Sequence, residues 1–219
     1  MKQVTPAPHY LLPAERTADA WIHGVGLAAG AVGGASLLTL AILHGRAGQV
    51  AAVAIYVASM LAMFALSLAY NMSPPRRQPL LRRFDHAAIF LMIAGSYTPF
   101  TTQGLTGGWA LGMTAAVWTL AAAGMAGKLF LPGLGRGFWI ALYLALGWLA
   151  VIAVKPLLAA LSALALGLLL AGGLIYSAGV VVYARRGLRF RRAIWHGFVL
   201  AAAATQYAAV LTGVVLPAR

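Results

Sequence analysis

Long apolar runs, separated by short polar, basic or proline-bearing joints, occupy almost the whole chain. Seven stand out, at about residues 18–43, 50–72, 84–103, 107–128, 137–154, 157–183 and 193–215. Each is near the roughly 20 mainly apolar residues that a helix needs to cross a bilayer. The runs are solidly apolar and rich in Ala and Leu, where a strand of a membrane barrel would alternate, so the pattern predicts helices. The expected fold is all-α: an integral membrane bundle of seven transmembrane helices over residues 18–219, after a short segment, 1–17. The tightest joint, Lys155-Pro156, is read as a turn between the fifth and sixth helices. In the first run Gly26, Gly30 and Gly34 recur every four residues on one helix face. Small residues at that spacing let helix backbones approach closely, which predicts packing inside the bundle rather than a dimer interface.

Composition narrows the reading. Of 219 residues, 62% are hydrophobic and only 9% charged. A soluble domain carries about 25% charged residues. Cysteine is absent, which excludes disulfides and thiolate metal sites. The first twenty residues hold three prolines, two acids and no continuous apolar core, so a cleaved signal peptide is not expected.

The net charge of +13 would suit a nucleic-acid partner, but the cations sit in short clusters between apolar runs rather than along one face. Counted by alternate sides, one side has Lys2, Arg16, Arg76, Arg77, Arg82, Arg83, Lys128, Arg136, Arg185, Arg186, Arg189, Arg191 and Arg192. The other has Arg46, Lys155 and Arg219. The positive-inside rule puts the first set in the cytoplasm. The amino terminus is then cytoplasmic, the carboxyl terminus outside, and the expected location is the inner (plasma) membrane. Membrane lipids are the expected partners, and nucleic acid is not.

Polar side chains inside hydrocarbon are costly and tend to mark function. Ser67 and Asn71 lie four apart at the end of the second run, Asp85 opens the third, and Arg192 and His196 lie four apart where the seventh begins. All five fall at one depth, near the cytoplasmic leaflet, where three helices can present them to one another. Arg192 is the expected partner of Asp85, because a guanidinium holds a carboxylate with two hydrogen bonds. Alternatively, Asp85 caps its helix and Arg192 only sets topology. His23, one turn into the first run, and Gln206, about 15 Å deeper than His196, are secondary candidates.

Several stretches resemble the haemolysin III and adiponectin-receptor (PAQR) superfamily. They are Glu15-Arg-Thr-Ala-Asp-Ala-Trp-Ile-His23-Gly, Ser67-Leu-Ala-Tyr-Asn71, Leu81-Arg-Arg-Phe-Asp85-His-Ala-Ala-Ile-Phe, Ala94-Gly-Ser-Tyr-Thr-Pro-Phe100 and Ala193-Ile-Trp-His196-Gly-Phe-Val-Leu-Ala201. The resemblance implies seven helices, a cytoplasmic amino terminus and a zinc site near the cytoplasmic leaflet. Its ligands would be a histidine four residues after the second-span serine and a pair four apart opening the seventh span, with the serine and a third-span aspartate alongside. Ser67, Asp85 and His196 match that pattern. Asn71 and Arg192 replace the other two histidines, and Gln206 replaces a further histidine of many bacterial members. Asn is a poor zinc ligand and Arg is none, while a catalytic zinc wants about three protein ligands. Only His196 remains as a metal ligand, with His23 or His86 available to rescue the site. His86 follows Asp85 directly and so points about 100° away around the helix.

The resulting expectation is a non-catalytic membrane protein, acting in membrane homeostasis, lipid sensing or regulation. It would hold no cofactor, with Arg192 replacing zinc as the counter-charge of Asp85. The alternative is a zinc-dependent, ceramidase-like lipid amide hydrolase using Ser67, Asp85 and His196. A cytolytic or pore-forming protein ranks last, because apart from Gln206 the mid-membrane positions carry no polar stripe.

Overall fold

The computed structural model describes residues 9–131, 133–185 and 187–217. Lys2, Arg186 and Arg219, which entered the charge count, lie outside the described residues. Among these residues the chain is helical throughout, with no strand. In order, the α-helices are α1 (Pro13–His44), α2 (Ala47–Met72), α3 (Gln78–Pro99), α4 (Gly107–Phe130), α5 (Arg136–Gly147), α6 (Val154–Ala160), α7 (Ala163–Ala184) and α8 (Arg191–Val210). Two of them, α3 and α8, run on into wide π-helical turns, Phe100–Gly104 and Leu211–Val215. A 3₁₀ stretch, Leu149–Ala153, joins α5 to α6 in one broken rod.

The turn expected at Lys155-Pro156 is not there. Both residues lie in the first turn of α6, where a proline costs little because its missing N–H has no helical partner anyway. The chain reverses instead at Leu161-Ser162. Ser162 caps α7, its hydroxyl accepting from the Ala165 N–H at 3.2 Å. Nor does Asp85 cap its helix. Pro79 lies in the first turn of α3, after the Arg77 N-cap, which leaves Asp85 nearly two turns inside.

Six rods are long and apolar enough to cross a membrane: α1, α2, α4, α5–α6, α7 and α8 with its π turn. α3 is not among them, because Arg82, Arg83, Asp85 and His86 crowd its first half. It packs between α2 and α4, while α1 packs against both α2 and α8, and α7 against α8. Large apolar side chains cover the outside, Leu111 at 76% exposure and Phe130 at 77% among them. No water-soluble surface carries such a belt. The fold is that of a multi-pass integral membrane protein.

The rods touch through small residues. A methyl at Gly34 of α1 would come within 2.6 Å of Val57 of α2, and one at Gly30 within 3.2 Å of Phe64. The glycine stripe of α1 is therefore spent on internal packing, as its spacing predicts. Gly95 of α3 lies against Ser59 of α2, and Gly124 of α4 against the Phe90 ring of α3. Where hydrocarbon surrounds the bundle, such close approach supplies the dispersion energy that holds helices together.

Gly95→Ala should lower stability in detergent by about 1–3 kcal/mol, because the new methyl overpacks the contact with Ser59. Gly112→Ala, whose methyl would meet open space, should leave it unchanged. Thermal unfolding of the two variants side by side checks the packing.

Candidate functional site

Two turns at the start of α1 and one at the start of α8 bring three titratable side chains together. Asp19 and His23 lie four apart on α1, so both face the bundle interior, 0% and 3% exposed. His196 meets them from α8. Its Nδ1 stands 2.6 Å from Asp19 Oδ1, and its ring centroid lies 4.2 Å from that of His23. His23 Nε2 is 3.5 Å from Asp19 Oδ2 and, although buried, has no hydrogen-bond partner. The fourth member comes from ahead of α1, where the Tyr10 hydroxyl donates to Asp19 Oδ2 at 2.5 Å. Burial and that bond push the Tyr10 pKa up, so the phenol stays protonated and donating.

The amino-terminal segment covers this cluster. His9 Nε2 lies 2.9 Å from Asn71 Oδ1, and the His9 carbonyl accepts from Arg192 Nε at 3.1 Å. Asn71 turns its amide nitrogen inward, to the Ser67 carbonyl at 2.9 Å and the Ser67 hydroxyl at 3.4 Å. Glu15 fixes the approach to α8, accepting the Phe190 N–H at 3.1 Å. Phe190 there adopts a left-handed conformation, φ 56°.

Arg192 and Asp85 do not pair. No ion pair joins them among the described residues. The guanidinium is drawn toward the amino-terminal segment, 5.8 Å from the Tyr10 ring. Asp85 has His86 Nε2 at 4.0 Å, and no Lys or Arg pairs with it among the described residues. The expected clasp between α3 and α8 is thus replaced by a contact between α1 and α8, with Asp19 as the carboxylate. Gln206 packs against Gly172 of α7, well away from the cluster.

All five predicted residues nevertheless line one cavity of about 630 Å³, within the usual range for a site holding one small molecule. Ser67, Asn71, Asp85, Arg192 and His196, with His23, form its polar end. Arg82, Arg83, Lys128 and Arg136 line it too, and apolar side chains such as Leu105, Leu157, Leu169 and Val199, with Gln206, line much of the remainder.

A metal at the positions the resemblance implies does not fit. Asn71 is held by three hydrogen-bond contacts, and Arg192 brings a permanent positive charge. The group that offers ligand atoms close together is Asp19, His23 and His196, all within 4.8 Å of one another. Asp19 is not among the residues that the sequence pattern singles out. The four-residue spacing to His23 was the available signal.

Comparison with known proteins gives the family. The family described as Haemolysin-III related matches residues 14–207. The chain belongs to that family. It is 35% identical to the "Hemolysin-3 homolog" of Bacillus subtilis (strain 168) over 198 residues, covering 90% of this chain and 93% of that protein. It is 38% identical to the "Hemolysin-3" of Bacillus cereus over 200 residues, covering 90% of each. The match to the haemolysin III family takes in α1 to most of α8, and so includes every residue of the cluster on the two helices.

His9 makes the cover pH-sensitive. Burial lowers its pKa from 6.5, opposed in part by the Asn71 contact. Docking of the segment is then complete above that value and weakens as pH falls through the lowered one, because the undocked imidazole binds the proton more readily. Protease protection of residues 9–12 should therefore decline as pH is lowered from neutral into the acid range below 6.5, and His9→Gln should flatten the profile. Equal protection at both ends of that range in the unaltered chain would refute the assignment.

Proposed function

We propose that this haemolysin III-family protein binds a single-chain lipid or similar amphiphile, and that it acts without a hydrolytic step of its own, as a lipid-sensing or membrane-homeostasis protein. The observation that carries the reading is the cavity: about 630 Å³, with Arg192, Arg82, Arg83, Lys128 and Arg136 among its lining residues and a largely apolar lining otherwise. A headgroup carrying negative charge would meet Arg192, Asn71 and Ser67. Its chain would lie against Leu169, Val199 and Leu157. The absence of hydrolysis follows from Asn71 and Arg192, which stand where water-activating zinc would need imidazoles.

The membrane arrangement is part of the proposal. α3 is the seventh crossing, its polar first half sheltered between α2 and α4. Thirteen of the sixteen Lys and Arg fall on the side read as cytoplasmic. The amino terminus, the polar end of the cavity and the Asp19 cluster then face the cytoplasmic leaflet of the inner membrane.

Lipid extraction and mass spectrometry of the detergent-purified protein test the binding claim. Val199→Trp fills the apolar part of the cavity and should reduce co-purified amphiphile at least about tenfold while thermal stability is kept, the affinity loss of 1.4 kcal/mol or more being typical of a blocked apolar site. Undiminished lipid in that variant would overturn it. Because the chain lacks cysteine, single cysteines report orientation cleanly. Gly133→Cys should react with an impermeant maleimide only in inside-out vesicles, and Gln103→Cys only in right-side-out ones. The opposite pattern would invert the topology.

A further inference from the structure

The Asp19 carboxylate is fully buried, yet no Lys or Arg pairs with it among the described residues. Its neighbours are two imidazoles and a phenol. A buried carboxylate without a positive partner is unfavourable, and so is a buried imidazole nitrogen without a partner. His23 Nε2 is such a nitrogen, and it lies beside that carboxylate. One divalent cation would answer both.

We propose that Asp19, His23 and His196 bind a zinc-like divalent cation that ties α1 to α8. The donor set, two imidazoles and one carboxylate, is of the kind zinc takes. Ligands about 2.0–2.1 Å from a tetrahedral ion stand about 3.3 Å apart. His23 Nε2 and Asp19 Oδ2 already stand at 3.5 Å. The Asp19–His196 contact, 2.6 Å, is a shared-proton distance. The ion takes the place of that hydrogen: the imidazole proton moves from Nδ1 to Nε2, and the contact opens by somewhat under an ångström. At low pH protons compete with the ion for the same imidazole nitrogens, so affinity falls.

Tyr10 supports the carboxylate from outside, donating to Oδ2, which is the usual role of a hydrogen-bond donor around a ligand. Water takes the fourth position. Asp19 is 0% exposed and His23 3%, so the ion is enclosed between the two helices. The site differs from the one the resemblance implies, in that two of its three ligands come from α1. It shares His23 and His196 with the polar end of the cavity, but the lipid reading is tested at Val199, which is no ligand, so the two fail separately.

The test uses the full chain in detergent, stripped with chelator and then given Zn²⁺ alone. One zinc per chain is expected by elemental analysis. At about 100-fold excess over Kd the unfolding midpoint should rise by about 5–10 °C. His23→Ala keeps the Asp19–His196 contact and so should keep the fold, while weakening zinc binding at least tenfold. His86→Ala, outside the group, should bind as before. Should His23→Ala fold poorly, Co²⁺ in the unaltered chain still decides: a four-coordinate electronic spectrum supports the site, and a six-coordinate aqueous one refutes it. Absence of zinc and of a midpoint shift in the unaltered chain would overturn the proposal. So would full zinc binding in His23→Ala, or loss in His9→Ala but not in His23→Ala.

Discussion

One carboxylate organises one end of this bundle. Asp19 is completely buried at the start of the first helix, and charge in such a place persists only if other groups supply what water would have given. Here they come from three parts of the chain: His23 one turn on, His196 on the last helix, and Tyr10 from the segment ahead. The first and last helices are thus held in a fixed register. Everything at that level follows from it, including the direction of Arg192 and the docking of His9 over Asn71.

The remainder is shape. Polar contacts are few, and the helices meet where glycine allows: Gly34 on Val57, Gly95 on Ser59, Gly124 on Phe90. The α5–α6 rod touches α3, α4 and α7 only sparsely, and the cavity lies beside it. The two regimes complement each other. Close packing of α1 to α4 gives a rigid wall, and the jointed α5–α6 rod lets the opposite wall stand off from it.

The helices were legible in the sequence because uninterrupted apolar runs leave the backbone no alternative in lipid. The failures have local causes. Lys155-Pro156 looks like a break, yet proline suits a first helical turn, and the real stop was written in Ser162 as an N-cap. Asp85 looks like the start of a helix that in fact begins at Gln78, with Pro79 in its first turn. The shared cavity of Ser67, Asn71, Asp85, Arg192 and His196 followed from equal depth along antiparallel helices. Pairing within it did not, because Arg192 was claimed by a backbone carbonyl of His9, and no periodicity announces a segment folding back. Asp19 went unweighted for want of a partner in view; its partner lies 177 residues away.

That separation has a bearing on biosynthesis. Asp19 reaches the membrane long before His196 has been translated. At roughly 5–20 residues per second, 177 residues take roughly 10–35 s. For that interval the nascent first helix holds an acid whose long-range partner has not been made. Asp19 lies near the start of that helix, where interfacial water can serve the carboxylate until the eighth helix emerges. The bundle would then be completed by its own last helix, with the ribosome's progress as the clock.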